Sequence, residues 1–129
     1  MAIASPRRVL LVSESSDERE MYAASLQRSG FCTLQAANAA DGYRLASELD
    51  PSAIVTDVRL DGGEDGLDLT RRLKQDERTR RVPVVVLTGY VFPHDRDVAA
   101  RAGCDRFVPK PCLPDSLSKV VSDLVDRRS

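Results

Sequence analysis

The chain has 129 residues, enough for one domain with a real core and too few for two. Its 19 basic and 20 acidic residues leave a net charge of -1, so no global field draws it to nucleic acid or to a membrane surface. The longest apolar runs fall far short of a membrane span, and the stretch from Met1 to Arg8 lacks the basic-then-apolar order of a secretion signal. Cys32, Cys104 and Cys112 are widely spaced, with no CxxC pair and no neighbouring His, which fits free thiols in a reducing cytosol.

Val9-Leu10-Leu11-Val12 reads as a first strand leading into Ser13-Glu14. A helix follows from near Ser15, where Ser15 and Glu18 have capping-box spacing. It carries Met21, Tyr22, Ala24 and Leu26, and Gly30 is its stop. Phe31 to Gln35 reads as the second strand. Asn38 caps a second helix with Gly42, Leu45, Ala46 and Leu49 on one face, ended by Asp50-Pro51. Ala53-Ile54-Val55-Thr56-Asp57 is the third strand. Leu60 to Gly66 is a loop by composition, and a third helix is expected from Asp65 to Gln75. Val82 to Leu87 is the fourth strand, running into Thr88. A short, arginine-rich fourth helix is expected from Asp95 to Ala102, with Gly103 as its stop. Phe107-Val108-Pro109 is the fifth strand and leads into Lys110-Pro111. The last helix begins near Pro114-Asp115, with Leu117, Val120, Val121 and Leu124 on one face.

This strand–helix alternation predicts a single α/β domain over residues 1–129, its core at about 8–125: a doubly wound parallel sheet with helices on both faces. The nearly continuous apolar strands suit that burial. In such sheets ligands bind beyond the carboxyl ends of the strands. Glu14, Asp57, Thr88 and Lys110 would then share one crevice. A nucleophile-capable carboxylate, a second carboxylate, a hydroxyl and an ammonium suit a phosphoryl group.

With those parts in place, the chain resembles a response-regulator receiver domain of bacterial two-component signalling. The resemblance rests on Val9-Leu10-Leu11-Val12 before an acidic position, Ile54-Val55-Thr56-Asp57, Asp65-Gly66-Leu67, Val86-Leu87-Thr88-Gly89, Ala102-Gly103 and Phe107-Val108-Pro109-Lys110-Pro111. Each motif is weak alone; their order and spacing are specific. It implies a flavodoxin-like five-stranded sheet in the order 2-1-3-4-5 with five helices. It implies that Asp57 accepts phosphate from a sensor histidine kinase or a histidine phosphotransfer protein, with Thr88 and Lys110 contacting the phosphate. It implies Mg2+ held by Glu14, Asp57 and the backbone carbonyl of Arg59, a cis Lys110-Pro111 bond, and a switch made of Thr88 and Phe107. Output would pass to a downstream target protein through the face formed by the fourth helix, fifth strand and fifth helix, a face also suited to a homodimer. No output domain, turnover enzyme activity, nucleic-acid contact or membrane contact is expected, and the expected location is cytoplasmic.

Two residues depart from the family pattern. Ser13 stands where a second acidic residue is usual; it can hold a metal-bound water but adds no charge, which predicts weak magnesium affinity. Arg59, two residues beyond Asp57, brings a guanidinium to the acidic pocket. These departures motivate an alternative, a pseudo-receiver adaptor that keeps the fold without using Asp57. A third reading, an aspartyl-phosphate phosphatase, lacks a general acid where Arg59 stands and lacks a cap domain. Arg71, Arg72, Lys74, Arg78, Arg80 and Arg81 are interleaved with Asp68, Asp76 and Glu77, so they read as a solvated helix face rather than a nucleic-acid patch. His94 has no visible ligand partner, Tyr90 either covers a loop or gates Asp57, and Cys112 is expected to pack as a small apolar residue.

Overall fold

A computed structural model describes residues 7–89 and 93–128. Tyr90 and the side chain of His94 therefore lie outside the described residues, as does the stretch from Met1 to Pro6. The strands are β1 (Arg8–Val12), β2 (Cys32–Ala36), β3 (Ala53–Asp57), β4 (Val84–Thr88) and β5 (Arg106–Pro109). The helices are α1 (Ser16–Arg28), α2 (Ala39–Leu49), α3 (Gly66–Gln75), α4 (Pro93–Ala102) and α5 (Pro114–Arg128). All strand pairs are parallel, in the order β2-β1-β3-β4-β5.

Strand side chains alternate between faces, so two cores form. Val9, Leu11, Val55, Val85 and Leu87 pack with Tyr22 and Leu26 of α1 and Leu117, Val121 and Val125 of α5. Leu10, Val12, Ile54, Val84 and Val86 pack with Ala46 of α2 and Leu69 and Leu73 of α3. Leu10, Leu26, Ile54, Leu69 and Leu117 are wholly buried, each contributing about 1.5–3 kcal/mol of transfer free energy. The central strands β1, β3 and β4 are buried almost throughout, whereas β2 and β5 are partly exposed edges.

Most element ends follow local chemistry. Ser15 caps α1, its side chain accepting from Glu18 N, and Gly30 continues past the end at φ 95°. Asn38 caps α2 by accepting from Asp41 N, and Asp50 ends it in the left-handed region at φ 44°. α3 starts one residue later than expected because Asp65 is its cap; Asp65 and Asp68 form a complete capping box. α4 begins two residues earlier than expected, at Pro93, a residue suited to a first helical position. β2 is shifted by one residue, since Phe31 is a buried connector rather than a strand member.

The capping box expected at α1 is only half made. Ser15 N donates to Ser13 Oγ at 3.1 Å, and the Glu18 carboxylate turns to Lys110. The basic stretch is laced by ion pairs: Arg71 to Asp68, Arg72 to Glu64, Lys74 to Asp105 and Arg78 to Asp76. Lys74 Nζ also donates to Val82 O, and Asp105 accepts from Val84 N, which ties α3 to the start of β4. The stretch is ion-paired as the sequence predicts, but it is not one helix face: α3 ends at Gln75, so only Arg71, Arg72 and Lys74 belong to it, and Arg78, Arg80 and Arg81 lie in the turns that follow. The three cysteines are free, and Cys112 packs against the α1/α5 core.

Candidate functional site

Register decides which side chains meet. Val12 lies opposite Thr56, Asp57 opposite Leu87, and Thr88 opposite Pro109. The next residues, Ser13 after β1 and Lys110 after β5, therefore join Asp57 and Thr88 at one edge. Lys110 N donates to Thr88 O at 2.8 Å, which draws the end of β5 onto the end of β4. The Lys110–Pro111 peptide is cis.

The result is an open cleft of about 270 Å³ whose lining includes Ser13, Glu14, Glu18, Asp57, Arg59, Thr88 and Lys110. Asp57 is 8% exposed and Thr88 6%. Lys110 Nζ lies 2.9 Å from Asp57 Oδ1 and 2.7 Å from Glu18 Oε1. Asp57 Oδ1 is buried and has no directed hydrogen bond among the described residues. The Lys110 ammonium is its close partner, as an ion pair. The Asp57 carbonyl accepts from the Thr56 hydroxyl at 2.9 Å, and Gly66 N donates to Val58 O at 2.7 Å. The second bond seats the start of α3 under the strand end.

Two carboxyls and the ammonium of the cleft are raised above their ordinary values. The Glu14 carboxyl is held above the usual range, first by its hydrogen bond to Asp61 and then by that group's charge. Asp57 raises it further, while the Arg59 guanidinium lowers it. Glu18 is also raised, mainly by burial, with Lys110 opposing that shift. Lys110 is raised: burial pulls its amine down, but the Glu18 and Asp57 carboxylates outweigh it.

The structure brings Ser13, Glu14, Asp57, Arg59, Thr88 and Lys110 together, as the sequence predicts. Ser13 is buried; its hydroxyl accepts from Ser15 N and its carbonyl from Arg19 Nη1. Arg59 is exposed and lines the cleft. Phe107 is partly buried against the α2/α3 core, with the Arg96 guanidinium 5.5 Å from its ring centroid. Two residues escaped the sequence reading. Glu18 reads in the sequence as a capping residue and Asp61 as a loop residue; no signal in the sequence brings Asp61 to Glu14.

The donor set partly suits a hard cation. The carboxylates of Asp57 and Glu14 and the main chain of Arg59 line the same cleft, so oxygen ligands of the kind magnesium takes are present. Among the described residues, however, no three acidic, His or Cys side chains cluster closely enough to form a metal cage by themselves. A cation here would keep several waters.

The sequence profile of the response regulator receiver domain matches residues 9–122. This chain belongs to that family. Response regulator Rre1 of Synechocystis sp. is 33% identical over 127 residues, covering 98% of this chain and 54% of that protein. Polar-differentiation response regulator DivK of Brucella anthropi is 27% identical, covering 94% of this chain and 98% of that protein. The receiver domain thus spans about half of the first relative and nearly all of the second. Among solved structures, the signal receiver domain of a signal transduction histidine kinase from Syntrophus aciditrophicus superposes with a TM-score of 0.86 at 30% identity, covering 94% of this chain and 91% of that one. A CheY-like receiver domain from Methanospirillum hungatei gives 0.88 at 20% identity, covering 96% of this chain and 97% of that one, which speaks for the fold alone. Among the described residues, no helix of the receiver domain is long and apolar enough to cross a membrane.

Proposed function

We propose that this receiver domain accepts a phosphoryl group on Asp57 from a histidine kinase or a histidine phosphotransfer protein. The observation that carries this reading is the Lys110 ammonium 2.9 Å from a buried Asp57 oxygen in a cleft that Thr88 also lines. An Asp57 oxygen attacks phosphorus, a new P–O bond forms, and the donor histidine nitrogen leaves with the electrons of the P–N bond. Lys110 then pairs with a phosphate oxygen as a point charge, and the Thr88 hydroxyl donates to another. Magnesium, held by Asp57, Glu14 and the Arg59 carbonyl with Ser13 reaching it through water, would neutralise charge on the transferring group. Its affinity is weak, because Ser13 adds no charge where a second carboxylate would bind the cation.

Output passes by protein contact through the face of α4, β5 and α5 to a downstream target or to a second copy. Movement of Thr88 towards phosphate opens space for Phe107, and this local change is read out at that face. No substrate turns over beyond self-phosphorylation from small donors and loss of the phosphate. The domain works in the cytoplasm, without nucleic acid or membrane. A second reading, a phosphate-independent adaptor, is favoured by Ser13, which leaves the cleft without a second acidic residue at the end of β1, and by Arg59, whose guanidinium lines the same cleft.

The test is incubation with magnesium and acetyl phosphate, read by intact mass beside Asp57→Asn. One phosphate adduct, absent from the variant and under chelation, supports the phosphoacceptor. An adduct that survives Asp57→Asn contradicts it. No adduct, even with a histidine phosphodonor, favours the adaptor.

A further inference from the structure

Glu18 does more than open α1. Its backbone N–H is taken by Ser15 Oγ at 3.2 Å, which fixes the first turn. The return bond of a capping box is unavailable, because Ser15 N is committed to Ser13 Oγ. The freed carboxylate reaches across to the residue after β5 and meets the Lys110 ammonium at 2.7 Å, closer than Asp57 does at 2.9 Å. The Glu18, Lys110 and Asp57 side chains are only 22%, 27% and 10% exposed. Solvent therefore screens this triad less than an ordinary surface pair.

We propose that Glu18 is a built-in competitor for the Lys110 ammonium, a second carboxylate that an incoming phosphoryl group must displace before Lys110 can pair with it. This rests on the phosphoacceptor reading of Asp57. Two carboxylates share one ammonium, so the triad carries surplus negative charge before phosphate arrives. The phosphoryl group brings more, and Glu18 competes with it for Lys110. Neutralising Glu18 at constant shape removes that competitor while Gln Oε1 can still accept from the ammonium.

Two measurements on the full chain decide it. Lysine is present at only three positions, Lys74, Lys110 and Lys119, so side-chain NMR signals can be assigned individually. In Glu18→Gln the Lys110 ε-methylene signals should move while those of Lys74 and Lys119 stay. Phosphate uptake from acetyl phosphate should become about three- to tenfold faster, the size expected for removing one nearby charge at a partly screened site. Glu20→Gln is the control, an exposed residue of the same helix making the same change in net charge. Unmoved Lys110 signals, an unchanged or slower uptake rate, or equal acceleration in Glu20→Gln would overturn the proposal. If the wild-type chain takes no phosphate, the phosphoacceptor reading fails, and the hold of Glu18 on Lys110 stands or falls on the NMR signals alone.

Discussion

Gly66 and Asp57 meet through their main chains: a Cβ on Gly66 would lie 1.8 Å from the Asp57 carbonyl oxygen and 3.0 Å from Thr56 Oγ1. No side chain fits there, so the start of α3 sits directly under the acceptor. Gly66→Ala should cost about 3 kcal/mol and displace Asp57, because overpacking against backbone cannot be relieved by a rotamer change. Urea unfolding measures the cost. Gly63→Ala has no atom within 4 Å but stands at φ 99°, and should cost about 1–2 kcal/mol through backbone strain alone. Equal losses in the two variants would contradict the packing account.

Asp57→Asn should leave stability within about 1 kcal/mol of the parent, since Lys110 keeps Glu18 as counter-ion and the triad loses its surplus charge. Lys110→Ala leaves two neighbouring carboxylates without their shared cation. It should cost about 1–2 kcal/mol, less than breaking a fully buried pair because these groups keep some exposure. Paired denaturation curves test the order of the two; Asp57→Asn being the more damaging would show that Asp57 is a structural acid first.

Ser13→Asp should tighten magnesium binding by about tenfold or more, equivalent to roughly 1.4 kcal/mol. The new carboxylate would face the same cleft as Asp57 and Glu14, and oxygen ligands of higher charge bind hard cations more tightly. Calorimetric titration is the measurement, because the chain has no Trp to report binding. Unchanged affinity would mean that residue 13 takes no part in holding the cation.

Stability should fall at both ends of the pH range for different reasons. Asp76 is held well below the carboxylate range, first by its hydrogen bond to Arg78 and then by that to Tyr43. A depressed folded value gives stability that is present above the ordinary 3.8 and lost as pH falls below it. Asp76→Asn should flatten part of that acid loss. Burial pushes the Tyr22 phenol up to about 12, and its hydroxyl donates to Cys112 O. A raised folded value gives stability that is complete below the ordinary 10.0 and lost as pH rises towards 12. Ultraviolet titration should show one of the three tyrosines ionising near pH 12, and Tyr22→Phe should remove that step.

Local physics explains why the sheet, its helices and the four strand-end residues were readable beforehand. An apolar run of four or five residues, a Ser or Asn cap and a following glycine act within a few positions, and their effects survive in almost any context. Glu18 escaped for the opposite reason. Its spacing from Ser15 is a genuine capping signal, but a carboxylate with a cap on one side and an ammonium 2.7 Å away on the other takes the stronger partner. Gly66 was legible as part of a motif, not as a contact, since only the folded backbone shows what a Cβ would strike.

The sequence by itself determined the alternation of elements, the parallel sheet and the gathering of Asp57, Thr88 and Lys110 at its carboxyl edge, because period, capping and strand direction are set by neighbouring residues. Only the tertiary structure decided how the charges are shared. Glu14 turns to Asp61 and Glu18 to Lys110, across 47 and 92 positions of chain respectively. Electrostatic partners depend on distance through space in a partly dry cleft, and no local rule ranks them before the strands are in register.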